Sequence, residues 1–457
     1  MPSLLVWSAV LASCVLVVVL ASRTARRFVW TSAILSRAVI GTLVMRLLGR
    51  KNQGPIRLRE AFEALGPTYV KLGQLVASSE GMFPDAYCVE FRKCLDRVPA
   101  FGADDVNLIL REDLQKDPKE VFATFEYKPI ASASIAQVHA ATLKDGTGVV
   151  VKVQRPRLKE IVAADLRVLK VFASIFARLP RGDLANPRGV VDDFEANLHE
   201  ELDFRREAKN LDEFNEIMVI HALERVAAPK PLHDLSSPRV LVMERFYGTR
   251  IDDQDILSTV SQEEVETRLL MGMRAWFRCL LVHGFFHGDV HAGNLMTLED
   301  GRVGFLDFGI VGRFNTERRG LVSEFLLSIA MRNFRGLAHA MIVMGDQKHV
   351  DEPKLAADLE KGAAALLDPS RPAKYADLLP IVMRISMRHR MHMPRDFVLI
   401  LKQMIYFDRY AKLLAPKLNI FADPRIIAAL MEDLALARGQ IKPASMRPPE
   451  QLQASSG

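Results

Sequence analysis

His287-Gly-Asp-Val-His-Ala-Gly-Asn294, followed after a short apolar hairpin by Asp307-Phe-Gly309, is the stretch on which the reading of this chain turns. Asp289 precedes Asn294 by five positions, and Asp307 follows Asn294 by thirteen. Between them, Leu295-Met-Thr-Leu298 and Val303-Gly-Phe-Leu306 flank a Glu-Asp-Gly turn, which reads as a β-hairpin. The hairpin fixes the distance from the first loop to Asp307, which falls at a strand end where a carboxylate can face a metal. The set supplies one carboxylate to meet an attacking hydroxyl, and an amide with a second carboxylate to hold Mg2+ against phosphates. A weaker rival takes the alternating His287, Asp289 and His291 as ligands of a hydrolytic metal ion.

Upstream, Ile135–Leu143 and Val149-Val-Val-Lys-Val153 form a second hairpin around Lys144-Asp-Gly-Thr147. Lys152 is flanked by valines, so its strand is buried and the lysine needs a partner. The turn before it, Pro129-Ile-Ala-Ser-Ala-Ser-Ile-Ala-Gln137, offers backbone N–H groups from Ala131, Ser132, Ala133 and Ser134, but with methyl groups in the way and less freedom than glycine gives. Glu200-Glu-Leu-Asp-Phe-Arg-Arg-Glu207 lies on a helix; Glu200, Glu201, Asp203 and Glu207 all compete as partner to a strand lysine, and spacing does not choose among them.

The Asp-to-Asn step is that of the protein-kinase catalytic loop H-R-D-L-x-x-x-N, which is also followed by D-F-G, and a lysine within a buried strand belongs to the same set. The Ala/Ser turn stands where a kinase carries G-x-G-x-x-G. After Gly309 there is no A-P-E, the segment that seats a peptide, which fits a non-peptide substrate.

Together with Tyr69-Val-Lys-Leu-Gly-Gln74, Pro129–His139, Val149–Pro156, Glu200–Asn210, Val242-Met-Glu244, Phe285–Asn294 and Phe305–Arg313, the chain resembles the UbiB (AarF-like) family of atypical kinases from about residue 55 to 420. The resemblance implies an α+β, atypical protein-kinase-like two-lobe fold with an N-terminal helical extension and a large helical C-lobe. It implies that Lys152 pairs with Glu207 and orders the phosphates of ATP. Asp289 is then the catalytic aspartate, Asn294 and Asp307 bind Mg2+, and Met243 and Glu244 lie near the adenine. Lys71, Gly73 and Gln74 form the family's K-x-G-Q motif over the active site, facing Glu201 and Asp203 of its E-x-D motif. Lys71→Ala is expected to change activity more than stability. The family implies an ATPase or small-molecule kinase in ubiquinone or other prenyl-lipid biosynthesis, with membrane lipids, prenylated quinone intermediates and quinone-biosynthesis proteins as partners. An ATP-binding pseudokinase scaffold or chaperone is the alternative, which intact Lys152, Asp289, Asn294 and Asp307 argue against. Two departures stand out. Ser79 and Gly81 replace the arginine and aspartate that usually follow K-x-G-Q, leaving one ion pair open. The catalytic loop also lacks two prolines, so its backbone is expected to be looser.

Leu4–Ala21 is an uncharged run of 18 residues followed by Arg23, Arg26 and Arg27, which reads as an N-terminal membrane anchor with the rest of the chain cytoplasmic, at the cell inner membrane. Phe28–Leu48 is apolar but carries Arg37 and Arg46. Each costs about 2.5–3.5 kcal/mol near mid-span, so this segment is expected to lie on the membrane or pack on the protein rather than cross. With 61 basic and 55 acidic residues in 457, the net charge of +6 gives no sign of a nucleic-acid binder. Four cysteines without a C-x-x-C pair give neither a zinc site nor a disulfide framework, and point to a reducing compartment. The expected limits are 1–23 anchor, 24–54 basic juxtamembrane helix, 55–118 helical extension, 119–247 kinase-like N-lobe, 248–440 helical C-lobe and 441–457 disordered tail.

Overall fold

A β-branched run with one lysine needs apolar cover on both sides, and the chain provides it by placing that run inside a sheet. The structure, a computed structural model, describes residues 22–50, 53–78, 84–95, 99–178, 187–253, 255–256, 260–347, 349–364, 378–391, 395–420, 423–443 and 445. It divides into two compact units, residues 1–204 with 234–242, and residues 205–233 with 243–457. The Leu4–Ala21 run, Ser79, Gly81 and nearly all of the expected tail lie outside the described residues.

The first unit opens with helices α1 (Arg23–Leu47), α2 (Gln53–Leu65), α3 (Pro67–Ser78), α4 (Asp85–Phe91), α5 (Ala103–Leu114) and the short α6 (Pro118–Val121). Its sheet runs in the order β1 (Phe122–Phe125), β3 (Ala136–Leu143), β4 (Gly148–Gln154), β6 (Val240–Glu244), with β2 (Ala131–Ser132) also paired to β3. Strands β3 and β4 are antiparallel in unbroken register from Ala136↔Gln154 to Thr142↔Gly148. Val149, Val151 and Val153 are fully buried on one face; Lys152 lies on the other, 6% exposed, between Val150 and Gln154. At the hairpin tip Asp145 accepts a hydrogen bond from Thr147 N at 2.9 Å, the local side-chain turn that Asp favours.

Helix α7 (Leu158–Phe176) carries Asp165 at 0% exposure, and the Arg27 guanidinium from α1 binds it with two nitrogens while also reaching Leu65 O. Phe28 stacks on Phe172 at 5.4 Å. These contacts dock one side of α1, yet only Thr31 and Ala38 of its 25 residues are buried. Glu200–Glu207, expected to lie on a helix, instead spans a break between two, α8 (Pro187–Glu201) and α9 (Phe204–Ile220). The break is made by bonds that take backbone groups out of the helical ladder: Gln154 Nε2 donates to Leu202 O, and Phe204 N donates to Pro238 O. Pro187 starts α8, a position where a missing N–H costs nothing.

The second unit holds the remainder of α9, a four-stranded sheet and a helical array. The sheet order is β5 (Val226–Ala227), β10 (Val303–Phe305), β9 (Leu295–Leu298), β7 (Gly248–Arg250), and a separate ribbon pairs β8 (Phe285–His287) with β11 (Val311–Arg313). The expected hairpin is β9–β10, with Val303 opposite Thr297. Helices α10 (Gln262–Arg278), α11 (Thr316–Ala330), α12 (Phe334–Met344), α13 (Glu352–Ala363), α14 (Leu378–Arg388), α15 (Arg395–Leu414) and α16 (Pro424–Ala437) complete it. Small sheets beside a helical majority make the fold α+β.

Candidate active site

In the second unit, α10 runs into a π-helical turn, Cys279–His283, that ends at Gly284 with φ 67°. A Cβ there would lie 2.4 Å from Phe314 O, so only glycine makes this turn. The chain then enters β8, whose His287 pairs with Val311. His287 is 1% exposed and both ring nitrogens are committed: Nε2 donates to Leu306 O at 2.8 Å, and Nδ1 accepts from Asp289 N at 3.0 Å. Burial pushes its pKa down, so the ring is the neutral Nε2–H tautomer. His287 therefore ties the His287–Asn294 loop to the residue before Asp307. With neither nitrogen open to a metal, the His287–Asp289–His291 reading fails. No group of three or more His, Cys, Asp and Glu side chains among the described residues is placed to hold a metal ion.

Asp289 follows with its side chain 23% exposed, within reach of a ligand. Burial pushes its carboxyl up, but Lys402 and His291 outweigh that and hold it below the usual carboxylate range. Lys402 Nζ lies 3.1 Å from Oδ1, and His291 Nε2 lies 3.8 Å from Oδ2. Asn294 Nδ2 donates to Asp289 O at 2.9 Å, and the Asn294 backbone receives Leu306 N at 2.8 Å. With its nitrogen committed, Asn294 has its amide oxygen to offer a cation. Asp307 is one of the few non-glycine residues with positive φ, at 43°, and its Oδ1 accepts from Gly309 N at 3.1 Å. A left-handed backbone on a non-glycine residue costs about 1–3 kcal/mol and is typically kept at functional sites. Phe308 is fully buried against His287 at 4.7 Å, and stacks on Phe285. An amide oxygen and a carboxylate at the two ends of one hairpin are the hard donors Mg2+ takes when phosphates complete its shell.

Also in this unit, Glu207 near the start of α9 is 4% exposed. Met243 is buried and bridges to Pro231, while Glu244 bonds both ways with the backbone of Lys230.

In the first unit, the Lys152 ammonium lies 5.3 Å from the centre of the Phe204 ring. The Ala131–Ser134 turn is strapped from behind by Arg155, whose guanidinium donates to Ala133 O and Ser132 Oγ and also reaches Pro99 O. Sequence reading passed over Arg155, which only follows the strand lysine in an ordinary polar stretch. Lys71 Nζ pairs with Glu201 Oε2 at 2.6 Å, with side-chain exposures of 18% and 7%. Gln74 and Asp203 are half-buried. Gly73 is buried, and a Cβ there would sit 2.6 Å from the Phe91 ring, so this glycine is required by the packing of α3 on α4.

The most telling residues missed by sequence reading sit on α15. Gln403 and Tyr410 hold the backbone of the His287–Asn294 loop and Lys402 holds the Asp289 carboxylate.

Comparison with known proteins gives the family of the chain. Residues 93–341 match the ABC1 atypical kinase-like domain. The chain is 39% identical over 408 residues to an uncharacterized chloroplastic aarF domain-containing protein kinase of Arabidopsis thaliana, covering 82% of this chain and 74% of that one. It is 32% identical over 382 residues to the probable protein kinase UbiB of Pseudomonas fluorescens, covering 80% and 69%. A solved Mycobacterium tuberculosis structure, the complex of Rv3197 with erythromycin, aligns with TM-score 0.49 and 25% identity over 77% of this chain and 92% of that one. The domain match and the extended identity carry the conclusion that the chain belongs to the UbiB/AarF-like family of ABC1 atypical kinases.

Proposed function

We propose that the protein is an ATP-dependent atypical kinase or ATPase of the UbiB type, working at a membrane in ubiquinone or other prenyl-lipid biosynthesis. The observation that carries the catalytic part is the Asp289–Asn294–Asp307 set: an ionised, reachable carboxylate, an amide oxygen and a left-handed aspartate joined through His287 and one hairpin. Mg2+–ATP, when bound, supplies the phosphoryl group and the neutralising cation. Asp289 accepts the proton of the attacking hydroxyl. Asn294 and Asp307 hold the cation. Lys152 and the Ala131, Ser132, Ala133 and Ser134 turn hold phosphate oxygens, and Met243 and Glu244 border the base. Glu207 keeps the role that family resemblance gives it, and Lys71 with Glu201, beside Gly73, Gln74 and Asp203, regulates access.

Asp307→Asn tests this reading. Mg2+-dependent ATP binding and hydrolysis should be lost while the melting temperature holds; an unchanged ATPase rate would remove the assignment. A wild-type chain that binds Mg2+–ATP without turnover under any lipid condition would favour the pseudokinase scaffold. Lipid extraction from a deletion strain carrying wild type or Asp307→Asn then tests the quinone role, which fails if quinone levels stay normal in both.

The membrane part rests on α1. It is long and apolar enough to cross a bilayer by length and composition, and only 6% of its apolar window is buried. Its N-terminal arginines are tied to α7, and Trp30, Val39, Ile40, Leu43, Val44 and Leu47 are exposed. A helix docked along one side and apolar along the other fits an interfacial position, beside whatever residues 1–21 contribute. Deleting residues 1–27 should release much of the protein from membranes; full retention at high salt would assign binding to the rest of α1 or to other helices.

A further inference from the structure

The catalytic loop lacks the prolines expected to stiffen it, yet three consecutive residues of it are held by one helix more than a hundred positions away in sequence. Gln403 Nε2 donates to Gly288 O at 2.7 Å and Gln403 Oε1 accepts from Val290 N at 2.8 Å. Tyr410 OH donates to Val290 O at 2.9 Å. Between these two backbone clamps, Lys402 Nζ meets Asp289 Oδ1 at 3.1 Å, and sits 5.5 Å from the centre of the Tyr406 ring. Gln403 is fully buried, and the helix is anchored beneath by Phe407 against Trp276, whose indole N–H donates to His287 O at 2.9 Å.

We propose that Lys402 is a positioning residue for phosphoryl transfer: it binds Oδ1 of Asp289 and so fixes the carboxylate in one orientation, with Oδ2 presented to the attacking hydroxyl. The proposal rests on the phosphoryl-transfer reading above and adds to it a residue from outside the matched 93–341 domain. The geometry favours a working pair over a packing one. Side-chain exposures of 19% for Lys402 and 23% for Asp289 leave the pair reachable by a ligand. One oxygen is taken by the ammonium, while among the described residues the other has His291 at 3.8 Å, beyond hydrogen-bond distance. The step it serves balances without a further reactant. The hydroxyl oxygen forms the new bond to phosphorus, its proton goes to Asp289 Oδ2, and the electron pair of the broken phosphoanhydride bond leaves with the nucleoside diphosphate.

The test compares Lys402→Met, Lys402→Gln, Lys402→Arg and Asp289→Asn in the full chain, together with the Lys402→Met/Asp289→Asn double variant. Lys402→Met should lower kcat by about 10²-fold, the cost of misplacing a reacting group by about an ångström, with KM and Kd for ATP within about twofold of wild type. Lys402→Arg should retain more activity than Lys402→Gln, because it restores the cation. Melting temperatures of the nucleotide-free chain supply a second readout. The double variant should melt at or above Lys402→Met, because removing the carboxylate removes what the lysine compensated. Wild-type kcat in Lys402→Met, or equal activity in the Arg and Gln variants, overturns the proposal, and so does additivity of the two melting shifts. If Lys402→Met does not fold, the Arg–Gln comparison decides alone. Retained turnover in Asp289→Asn would instead overturn the phosphoryl-transfer reading itself, so the two failures are distinct.

Discussion

Gly73→Ala separates packing from ligand approach as the reason for the glycine of the K-x-G-Q motif. In α3 the new methyl would stand 2.6 Å from Phe91 Cδ1 and 2.9 Å from Cε1, about an ångström inside ordinary contact. The ring has little room to yield: Phe91 is 0% exposed and is wedged edge-on against Phe62 at 5.0 Å, which in turn packs on Tyr69 at 5.8 Å. Overpacking of this kind costs about 1–3 kcal/mol. Alanine returns about 0.8–1 kcal/mol of helix propensity, so the net loss is up to about 2 kcal/mol. For a unit of roughly 200 residues that is a fall of up to about 8 °C in Tm. The measurement is calorimetric or circular-dichroism melting of the full chain, with ATP affinity followed in parallel. Phe91→Leu in the same chain should recover part of the loss by making space. A Tm at or above wild type would refute the packing argument, and a loss of ATP affinity at unchanged Tm would assign the glycine to nucleotide approach instead.

Lys71→Ala should shift nucleotide selectivity or turnover, and it should also lower Tm, contrary to the small stability effect expected of a surface lysine. Its partner Glu201 is 7% exposed and would lose the ammonium 2.6 Å away, so Glu201→Gln in the same chain should recover part of the lost Tm; wild-type affinity, turnover and lipid response in Lys71→Ala would end the gating idea. Asp433 is fully buried beside Arg278, and burial pushes its pKa up to about 6 despite the guanidinium. Its folded value lies above the unfolded one, so the stability it contributes is present below about pH 4 and lost as pH rises through about 6. The stability advantage of wild type over Asp433→Asn should therefore grow between pH 7 and pH 5 in urea titrations, and a constant or shrinking gap would contradict the shift.

What the sequence made legible was whatever is local. The Asp289, Asn294 and Asp307 spacing crosses one hairpin, and Val149–Val153 announces a buried strand by composition. The three-residue strands β8 and β11 were not legible, because so short a run has no period to read and its pairing partner lies beyond the hairpin. The break between α8 and α9 was hidden for a similar reason: it is made by Gln154 and Pro238, remote in sequence from Leu202 and Phe204. Lys402 was the costliest miss. In Val398-Leu-Ile-Leu-Lys-Gln-Met-Ile405 its one signal was a Lys-Gln pair interrupting an apolar run, which reads equally as a solvated edge. The expected looseness of the loop without its prolines does not account for the grip of Gln403 and Tyr410, which supply from another helix the restraint those prolines would give.

That grip bears on where the kinase-like module ends. The recognisable domain stops at residue 341, yet Gln403, Tyr410 and Phe407 come from beyond it, and they hold Gly288, Val290 and Trp276. A fragment trimmed to the 93–341 match would keep every motif residue of the loop and lose its scaffold. Inheritance of the signature is therefore separable from inheritance of the working geometry: a relative could retain the whole Asp–Asn–Asp signature and drift in catalytic power through substitutions along α15 alone.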